Sequence, residues 1–239
     1  MSLQAFLAER ASETERLKNG SMLSLVTGES GGDEIEFGNS TAANSLLGDL
    51  TAMVAASFGN PLDERSNDGT RSHVDKVAGI AIVHDGIIPL GFASCKFPAK
   101  GTFYLHGVAV SPTAKGEGYG KLLVKSLLEK FLAESLICTT QNPVVFHLLN
   151  SLFEDVFPNT TSGLPEQVRG VAKSLLNGRG ESFDPISGVV SGLYGGCLYP
   201  KIPTGTDAPT DAWFKSALRV DEEGRTKNGF VFVAKNLKP

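Results

Sequence analysis

Hydrophobic positions recur with two periods along this chain, and together they predict a protein that mixes strands and helices. Alternating or continuous apolar runs predict strands over 21–27, 77–83, 87–95, 102–110, 135–140, 217–220 and 229–234. Apolar residues three and four positions apart predict helices over 3–18, 41–58, 118–134, from 143 through at least 156, and over 164–176. The pattern therefore indicates the α/β class.

The connections between these runs predict how the strands pair. Asp85-Gly86 separates the runs 77–83 and 87–95, which is a strong signal for a tight hairpin. A connection at 98–101 leads into the strand 102–110, so an antiparallel meander is expected. The helix between 102–110 and 135–140 predicts that these two strands run parallel. The last two runs, 217–220 and 229–234, predict a closing hairpin.

Two parts of the chain lack a clear period. The stretch 62–76 is rich in charged residues, and its composition favours a solvated loop. His73 falls in this stretch and His84 beside the Asp-Gly turn, so both are predicted to be loop residues. The segment 187–199 is glycine-rich but apolar, and it suits either a buried core element or an interface.

The strand 102–110 and the residues after it form the most distinctive part of the sequence. The strand ends at Val110-Ser111-Pro112, glycines follow at 116, 118 and 120, and a periodic helix begins at once. Such a loop presents backbone N–H groups at the positive end of a helix dipole, an arrangement that binds phosphate or pyrophosphate. Glycines suit the loop because side chains would hold a ligand away from the backbone.

Three other kinds of loop fit these residues less well. A dinucleotide site needs Gly-x-Gly-x-x-Gly and an acid after the next strand, whereas the spacing here is Gly-x-Gly-x-Gly and that strand ends in Thr140-Gln141-Asn142. A nucleotide P-loop needs Gly-Lys followed by Ser or Thr, and Leu122 takes that place. A plain strand-to-helix turn would need only one glycine.

The run Val110-Ser111-Pro112 followed by Lys115-x-x-Gly118-x-Gly120 resembles the acyl-coenzyme A signature of the GNAT superfamily of N-acetyltransferases. The resemblance implies a mixed, mostly antiparallel central sheet that is flanked by helices and splayed between the central strands to admit the cofactor. In such a fold the stretch 62–76 would help to line the acceptor groove. The resemblance also implies acetyl-CoA as cosubstrate, held by Val108, Ala109, Val110, Lys115, Gly116, Glu117, Gly118, Tyr119, Gly120, Lys121 and Asn142.

The resemblance gives these residues separate tasks. The backbone of Val108 and Val110 would pair with the pantetheine arm, and amides from Gly116 to Gly120 would cradle the pyrophosphate. Asn142, within the run Thr140-Gln141-Asn142-Pro143, resembles the family asparagine that contacts the pantetheine amide. An asparagine immediately before a helix is also a good N-cap, and the two roles are about equally supported.

His106 occupies the strand position where family members often carry a catalytic glutamate. Residues 104, 106, 108 and 110 of a regular strand share one face, which would bring His106 toward the thioester as general base. A histidine with no part in proton transfer is an equal alternative. Leu149 stands where the family commonly has a tyrosine acid, so the general acid is not identified; Tyr194 and Tyr199 are remote candidates, and His147 is expected on another helix face.

Composition narrows the possible partners. The formal net charge is −4 and no long basic block occurs, which argues against nucleic acid as the main ligand. The apolar runs are shorter than the roughly 20 residues of a membrane span, so a cytoplasmic protein without a membrane partner is expected.

The three cysteines, Cys95, Cys138 and Cys197, predict buried free thiols in a reducing compartment. Their spacing and that of the histidines suggest no metal site.

The sequence thus predicts one acyltransferase-like domain over 1–239, with a core at about 21–158, an insertion at about 159–214 and a closing hairpin at 215–236. Its expected activity is the transfer of acetyl from acetyl-CoA to a primary amine by direct attack within a ternary complex. The acceptor, a small molecule or a protein, is not identified, and an oligomer is possible. The alternative is an inactive acyl-CoA sensor or a protein-interaction module.

Overall fold

A computed structural model describes residues 3–28, 33–38, 40–97, 103–176, 178–205 and 207–239. The chain divides into two compact units, residues 1–133 and 134–239. The predicted connection at 98–101 and the predicted first residue of the following strand, Thr102, lie outside the described residues.

The first unit combines helices with strands that pair in chain order. Its elements are α1 (Leu3–Arg10), β1 (Glu13–Arg16), β2 (Met22–Thr27), α2 (Thr41–Phe58), α3 (Glu64–Val74), β3 (Gly79–His84), β4 (Pro89–Lys96), β5 (Tyr104–Val110), a 3-10 turn (Pro112–Ala114) and α4 (Tyr119–Lys130). Each strand from β1 to β5 is antiparallel to the next.

The second unit is organised around its last strand. Its elements are β6 (Ser135–Thr140), α5 (Pro143–Leu152), β7 (Phe153–Phe157), α6 (Glu166–Leu175), β8 (Ser182–Phe183), β9 (Val189–Ser191), α7 (Ala208–Ala217) and β10 (Gly229–Leu237). β10 is antiparallel to β6, to β7 and to β9, and β8 pairs with β9.

Helix α2 shows how the first unit builds its core. The Ser40 hydroxyl accepts a hydrogen bond from the Ala43 N–H and caps the start, while Gly59 at φ 72° ends the helix in the left-handed conformation. Between the caps, Leu46, Leu47 and Leu50 are at most 1% exposed. Burying one such side chain contributes about 1.5–3 kcal/mol, so this face fixes α2 on the sheet.

The core of the second unit is aromatic. Neighbouring rings of α5, α7 and β10 lie with centroids 4.7–6.4 Å apart, the spacing of tilted and edge-to-face aromatic pairs. The rings are those of Phe146, Trp213, Phe214, Phe230 and Phe232. They hold the two helices against β10.

The predicted α/β class, with mostly antiparallel strands flanked by helices, is confirmed. The hairpin at Asp85-Gly86 is confirmed as well, since β3 and β4 pair around it and the Asp85 carboxylate accepts hydrogen bonds from the N–H groups of Ile87 and Ile88. The parallel relation and the splay predicted for the strands ending at Val110 and Thr140 concern both units and stay predictions, as do the predicted single domain and its core and insertion boundaries.

The predicted first helix over 3–18 is wrong in its second half. α1 ends at Arg10, and β1 forms a hairpin with β2, for example between Glu13 and Leu25. All four residues of β1 are exposed. A charged edge strand that buries no side chain has no apolar alternation, so its period could not be recognised.

The predicted loop over 62–76 is also wrong in most of its length, because α3 covers Glu64–Val74. The Asp63 carboxylate accepts the Ser66 N–H as N-cap, and Thr70 and Val74 are buried one turn apart. His73 therefore lies on a helix. His84 ends β3 and is 3% exposed, so neither histidine is a loop residue.

Two predictions for the second unit need correction. The helix that begins at Pro143 ends at Leu152, and Phe153–Phe157 is strand β7. The first arm of the predicted closing hairpin, 217–220, is not a strand, since it begins with the last residue of α7 and continues past the end of that helix. β10 instead pairs with β6, β7 and β9. A short apolar run has the same appearance in a strand and in a buried helix end.

The three cysteines are free, as predicted, but only two of them are buried. Burial raises the pKa of both the Cys95 and the Cys138 thiols to about 12, so these groups stay protonated and unreactive. Cys197 is exposed, contrary to the prediction.

Candidate active site

The glycine loop joins β5 to α4 in the first unit. After the turn at Pro112–Ala114, Gly116 and Gly118 have φ of 91° and 78°, a region that side-chain-bearing residues rarely adopt. A Cβ at either position would contact nothing within 4 Å, so the backbone conformation alone requires these glycines. Lys115, Glu117 and both glycines are exposed, and the loop is open to a ligand.

Helix α4 begins immediately after this loop without a side-chain cap. Gly118 is its N-cap residue and no acidic residue stands in the first turn. The N–H groups of Tyr119, Gly120 and Lys121 have no partner within the helix, because a helix leaves its first N–H groups unpaired. An anion is therefore favoured at this helix end, by about 0.3–1 kcal/mol for each charge-dipole contact.

The side chain of Tyr119 serves the fold and leaves only its backbone for a ligand. Its hydroxyl accepts a hydrogen bond from the Asn19 amide at 2.7 Å and lies 2.8 Å from the Ser21 hydroxyl. The residue is 6% exposed. The first turn of α4 is thereby attached to the residues that lead into β2.

The predicted pantetheine strand, Val108 to Val110, lies in β5 next to β4. The Ser111 N–H donates to the Leu90 carbonyl, and hydrogen-bonded pairs alternate along an antiparallel ladder. The peptide groups of Val108 and Val110 consequently point to the side of β5 away from β4, as the predicted pairing with the pantetheine arm requires. The Ser57 hydroxyl lies 2.7 Å from the Val110 carbonyl oxygen, while Ala109 is turned into the core.

A bulge in β5 changes the direction of His106. Ser94 pairs with Gly107 but Cys95 pairs with Leu105, so His106 is an extra residue in the ladder. The predicted shared face of residues 104, 106, 108 and 110 is therefore interrupted. His106 packs with Tyr104 and with His73 of α3, with ring centroids 5.7 and 4.7 Å apart.

The hydrogen bond of His106 defines its tautomer. Nε2 lies 2.9 Å from the backbone carbonyl oxygen of Ser72, and a carbonyl oxygen only accepts, so Nε2 carries the hydrogen. In the neutral ring the lone pair is then on Nδ1, which is buried. Gly107 makes room for this arrangement, since a Cβ there would lie 3.1 Å from the His73 Nδ1.

Asn142 belongs to the second unit and caps α5. Its side-chain oxygen accepts the Val144 N–H at 2.9 Å, and its Nδ2 donates to the Tyr199 hydroxyl at 3.2 Å. The capping role is thus observed, and the pantetheine contact stays a prediction. Burial raises the pKa of Tyr199 to about 12, so its hydroxyl remains protonated.

Leu149 and His147 face different surroundings on α5. Leu149 is fully buried in the core of the second unit, where a tyrosine hydroxyl would need a partner. His147 Nε2 lies 3.1 Å from the Asp207 carboxylate. The Thr210 N–H, aided by His147, holds the pKa of Asp207 below its ordinary value.

Two residues of α3, Ser72 and His73, contact His106. Sequence reasoning did not identify these contacts. The signal for helix α3 was present in the Asp63 cap and in the buried pair Thr70 and Val74, but it was hidden by the polar composition of the helix.

Of the residues that the structure describes, no three His, Cys, Asp or Glu side chains form a group able to hold a metal ion. No helix in the described ranges has the length and apolar character to cross a membrane.

Comparison of the sequence with family models matches residues 52–150 to the acetyltransferase (GNAT) family. The matched region includes α3, the bulged strand β5, the glycine loop and α4, and it ends within α5, after Asn142. No curated protein matches the sequence.

Several solved acetyltransferase structures resemble the fold. The ribosomal-protein-S18-alanine N-acetyltransferase from Escherichia coli is 11% identical, with 91% of this chain and 96% of that chain covered and a TM-score of 0.47. The IAA acetyltransferase from Bacillus cereus ATCC 14579 is 10% identical, with coverages of 89% and 99% and a TM-score of 0.41. A protein from Bacillus anthracis str. Ames, assigned as a streptothricin acetyltransferase and solved with acetyl coenzyme A, is 16% identical, with coverages of 36% and 55% and a TM-score of 0.30.

Identities and TM-scores this low carry no argument about substrate, so the assignment rests on the sequence match and on the loop that lies inside it. The chain therefore carries a GNAT-family acetyltransferase region at residues 52–150, and the protein is an acyltransferase.

Proposed function

We propose that the protein is an N-acetyltransferase that moves the acetyl group of acetyl-CoA to a primary amine within a ternary complex. The observation that supports this most is the open loop with Gly116 and Gly118 at positive φ before the uncapped start of α4, within the region that matches the family. Backbone amides from Gly116 to Gly120 hold the pyrophosphate, and Lys115 and Lys121 add positive charge.

The outward peptide groups of Val108 and Val110 pair with the pantetheine arm. The amine nitrogen attacks the thioester carbonyl carbon, the carbon–sulfur bond breaks, and coenzyme A leaves as the thiolate. Free lysine-like amines have a pKa near 10.4, so only about one in a thousand is neutral at physiological pH, and the reaction needs a proton acceptor.

His106 is the proposed proton acceptor. The hydrogen bond from Nε2 to the Ser72 carbonyl orients the ring, and the ring takes the proton that the amine loses. The metal-free chemistry of this proposal requires only the acetyl donor, the amine and this base.

Calorimetric titration with acetyl-CoA, with NAD as comparison ligand, tests the loop assignment. Gly118→Ala should lower the acetyl-CoA affinity at least tenfold, because alanine disfavours φ near +78° and turns the amides away from the phosphates. Gly178→Ala is the matched control: Gly178 has φ 74° and equally open surroundings, but lies in the second unit outside the matched region. Equal losses in the two variants, or no binding to the natural chain, would overturn the proposal.

A further inference from the structure

The hairpin formed by β1 and β2 contacts helix α4 at both ends of that helix. At the last turn of α4, Lys130 forms an ion pair with Glu13 of β1. At the first turn, the hydroxyl of Tyr119 contacts the turn at residues 17–21, which joins β1 to β2. The hairpin, which the apolar pattern of the sequence did not reveal, is therefore attached to the helix that follows the glycine loop.

Three side chains form a hydrogen-bonded group between the tip of this hairpin and α4. The Asn19 amide donates to the Tyr119 hydroxyl at 2.7 Å, and that hydroxyl lies 2.8 Å from the Ser21 hydroxyl. The side-chain oxygen of Asn19 accepts the Ser21 N–H at 3.2 Å. Both ends of the Asn19 amide thus have a partner, which fixes its direction toward the phenol.

This group acts on the part of α4 that the proposed function uses. Tyr119 stands between Gly118, the N-cap residue at φ 78°, and Gly120. Of these three successive residues only Tyr119 has a side chain, and that side chain is buried. Its hydrogen bonds consequently attach the backbone amides of the first turn to the rest of the first unit.

Attachment of these amides matters because glycine has the greatest backbone freedom of any residue. Binding is stronger when the groups that contact a ligand are already ordered, since the entropic cost of ordering them no longer opposes association. Asn19 is exposed and lies outside the residues 52–150 that match the family. Its side chain reaches the cofactor region only through the hydroxyl of Tyr119.

We propose that Asn19 and Tyr119 are positioning residues for acetyl-CoA, because their hydrogen bond holds the first turn of α4 with its backbone amides toward the pyrophosphate. Ser21 supports the same hydroxyl. This inference rests on the proposed N-acetyltransferase function, and it assigns to the cofactor loop a support that lies outside the family region.

The test measures acetyl-CoA dissociation constants by calorimetry in a double-mutant cycle. Asn19→Ala and Tyr119→Phe should each raise the dissociation constant about three- to tenfold, the effect of losing one hydrogen bond. The double variant should bind no more than about twofold more weakly than Tyr119→Phe, because both changes remove the same bond. Glu13→Gln is the control: it breaks the exposed ion pair at the other end of α4 and should leave the constant within about twofold.

Denaturant unfolding of the same variants separates positioning from a purely structural role. A residue that only stabilises the fold changes the free energy of unfolding and leaves the dissociation constant of the folded protein as it was. If Tyr119→Phe does not fold, Ser21→Ala takes its place in the cycle, since Ser21 contacts the same hydroxyl.

Each result separates the positioning inference from the function beneath it. Unchanged dissociation constants in the single variants, additive effects in the double variant, or an equal loss in Glu13→Gln would overturn the inference and leave the cofactor assignment standing. Absence of acetyl-CoA binding by the natural chain would overturn the proposed function, and the positioning inference with it.

Discussion

His106 shows how one extra residue in a strand changes the chemistry available to a side chain. A regular strand would have aimed it with Val108, whereas the bulge turns it to Ser72 and His73 of α3. The backbone carbonyl of Ser72 accepts the Nε2–H and so fixes the tautomer of the neutral ring. Family resemblance identified the position, but only tertiary structure showed which carbonyl the ring donates to, and the role as a base stays a proposal.

His106→Gln should lower kcat about 100-fold or more, because general base catalysis typically contributes factors of 10²–10⁴. The acetyl-CoA dissociation constant should not change, since the loop that binds the cofactor is separate. Steady-state kinetics and calorimetry measure the two quantities. His73→Phe is the control: it keeps a ring against His106 and should retain activity within a few fold. A kcat unchanged in His106→Gln would remove the histidine from the mechanism.

His84 gives the first unit a predictable response to acid. The Gly86 N–H donates to Nδ1, and Nε2 lies 3.0 Å from the Ser24 hydroxyl in a buried setting. Desolvation lowers the pKa of His84 below 6.5, with Asp85 acting in the opposite direction. The unfolded chain therefore binds the proton more readily than the folded one, and the contribution of neutral His84 to stability is present above about pH 6.5 and declines as the pH falls below it.

Denaturant unfolding at several pH values between 7.5 and 5 tests this expectation. The free energy of unfolding should fall on acidification, and His84→Gln should reduce that pH dependence because glutamine does not titrate. The comparison cancels the contributions of the other histidines. Parallel curves for the two proteins would contradict the assignment.

At the scale of elements, helix starts carry much of the information in this sequence. Ser40, Asp63, Asn142 and Asp207 each cap a helix through a side-chain oxygen. Helices α4 and α6 begin without such a cap, α4 at Gly118 and α6 at Pro165, and of these two only α4 follows a glycine loop. An uncapped start after a glycine loop leaves its amides for a ligand.

Asn142 allows capping and cofactor binding to be measured separately. Asn142→Ala should lower the free energy of unfolding by about 1 kcal/mol, the usual cost of losing an N-cap. Asn142→Asp retains the capping oxygen but lacks the Nδ2 donor. Its free energy of unfolding should stay within a few tenths of a kcal/mol of that of the natural chain. Denaturant unfolding gives the first quantity and acetyl-CoA titration the second. If Asn142→Asp binds acetyl-CoA as tightly as the natural chain, the predicted pantetheine contact is wrong.

The elements that sequence reasoning predicted well are those with a clear apolar pattern. The helices α2 and α6 each present one apolar face, and β3, β4 and β6 are short runs buried on both faces, so all of them were predicted within a few residues. β1 and α3 were missed because their residues are mostly polar, and β7 was merged with α5 because a short apolar run does not reveal its period. Polar elements are stabilised by neighbours distant in the sequence.

At the scale of the whole molecule, each unit depends on its own core. In the second unit Phe214 is 1% exposed and its ring meets Phe146, Trp213, Phe230 and Phe232. Its segment shows no resemblance to the family in sequence, yet it supplies a large part of the apolar packing on β10. The extra residues are therefore part of the folded body of this unit.

Phe214→Ala should lower the free energy of unfolding by about 3–5 kcal/mol, the cost of removing a buried aromatic ring and leaving a cavity. Trp213 is the only tryptophan of the chain and contacts Phe214, so its fluorescence reports the unfolding of this unit directly. Ile186→Ala, at a position 63% exposed, is the control and should change stability by less than about 0.5 kcal/mol. Similar stability of the two variants would show that the aromatic cluster does not support the fold.

The sequence by itself determined the α/β class, the glycine loop between β5 and α4 and the resemblance to the family, whereas the residues assigned to acetyl-CoA stay a prediction. These features are local: they depend on apolar period, on glycines at fixed spacing and on caps next to helix starts. Tertiary structure alone decided that α3 lies against the bulge of β5 and that the Ser72 carbonyl fixes the His106 tautomer. Ser72 and His106 are 34 positions apart, and no periodicity in the sequence records their contact.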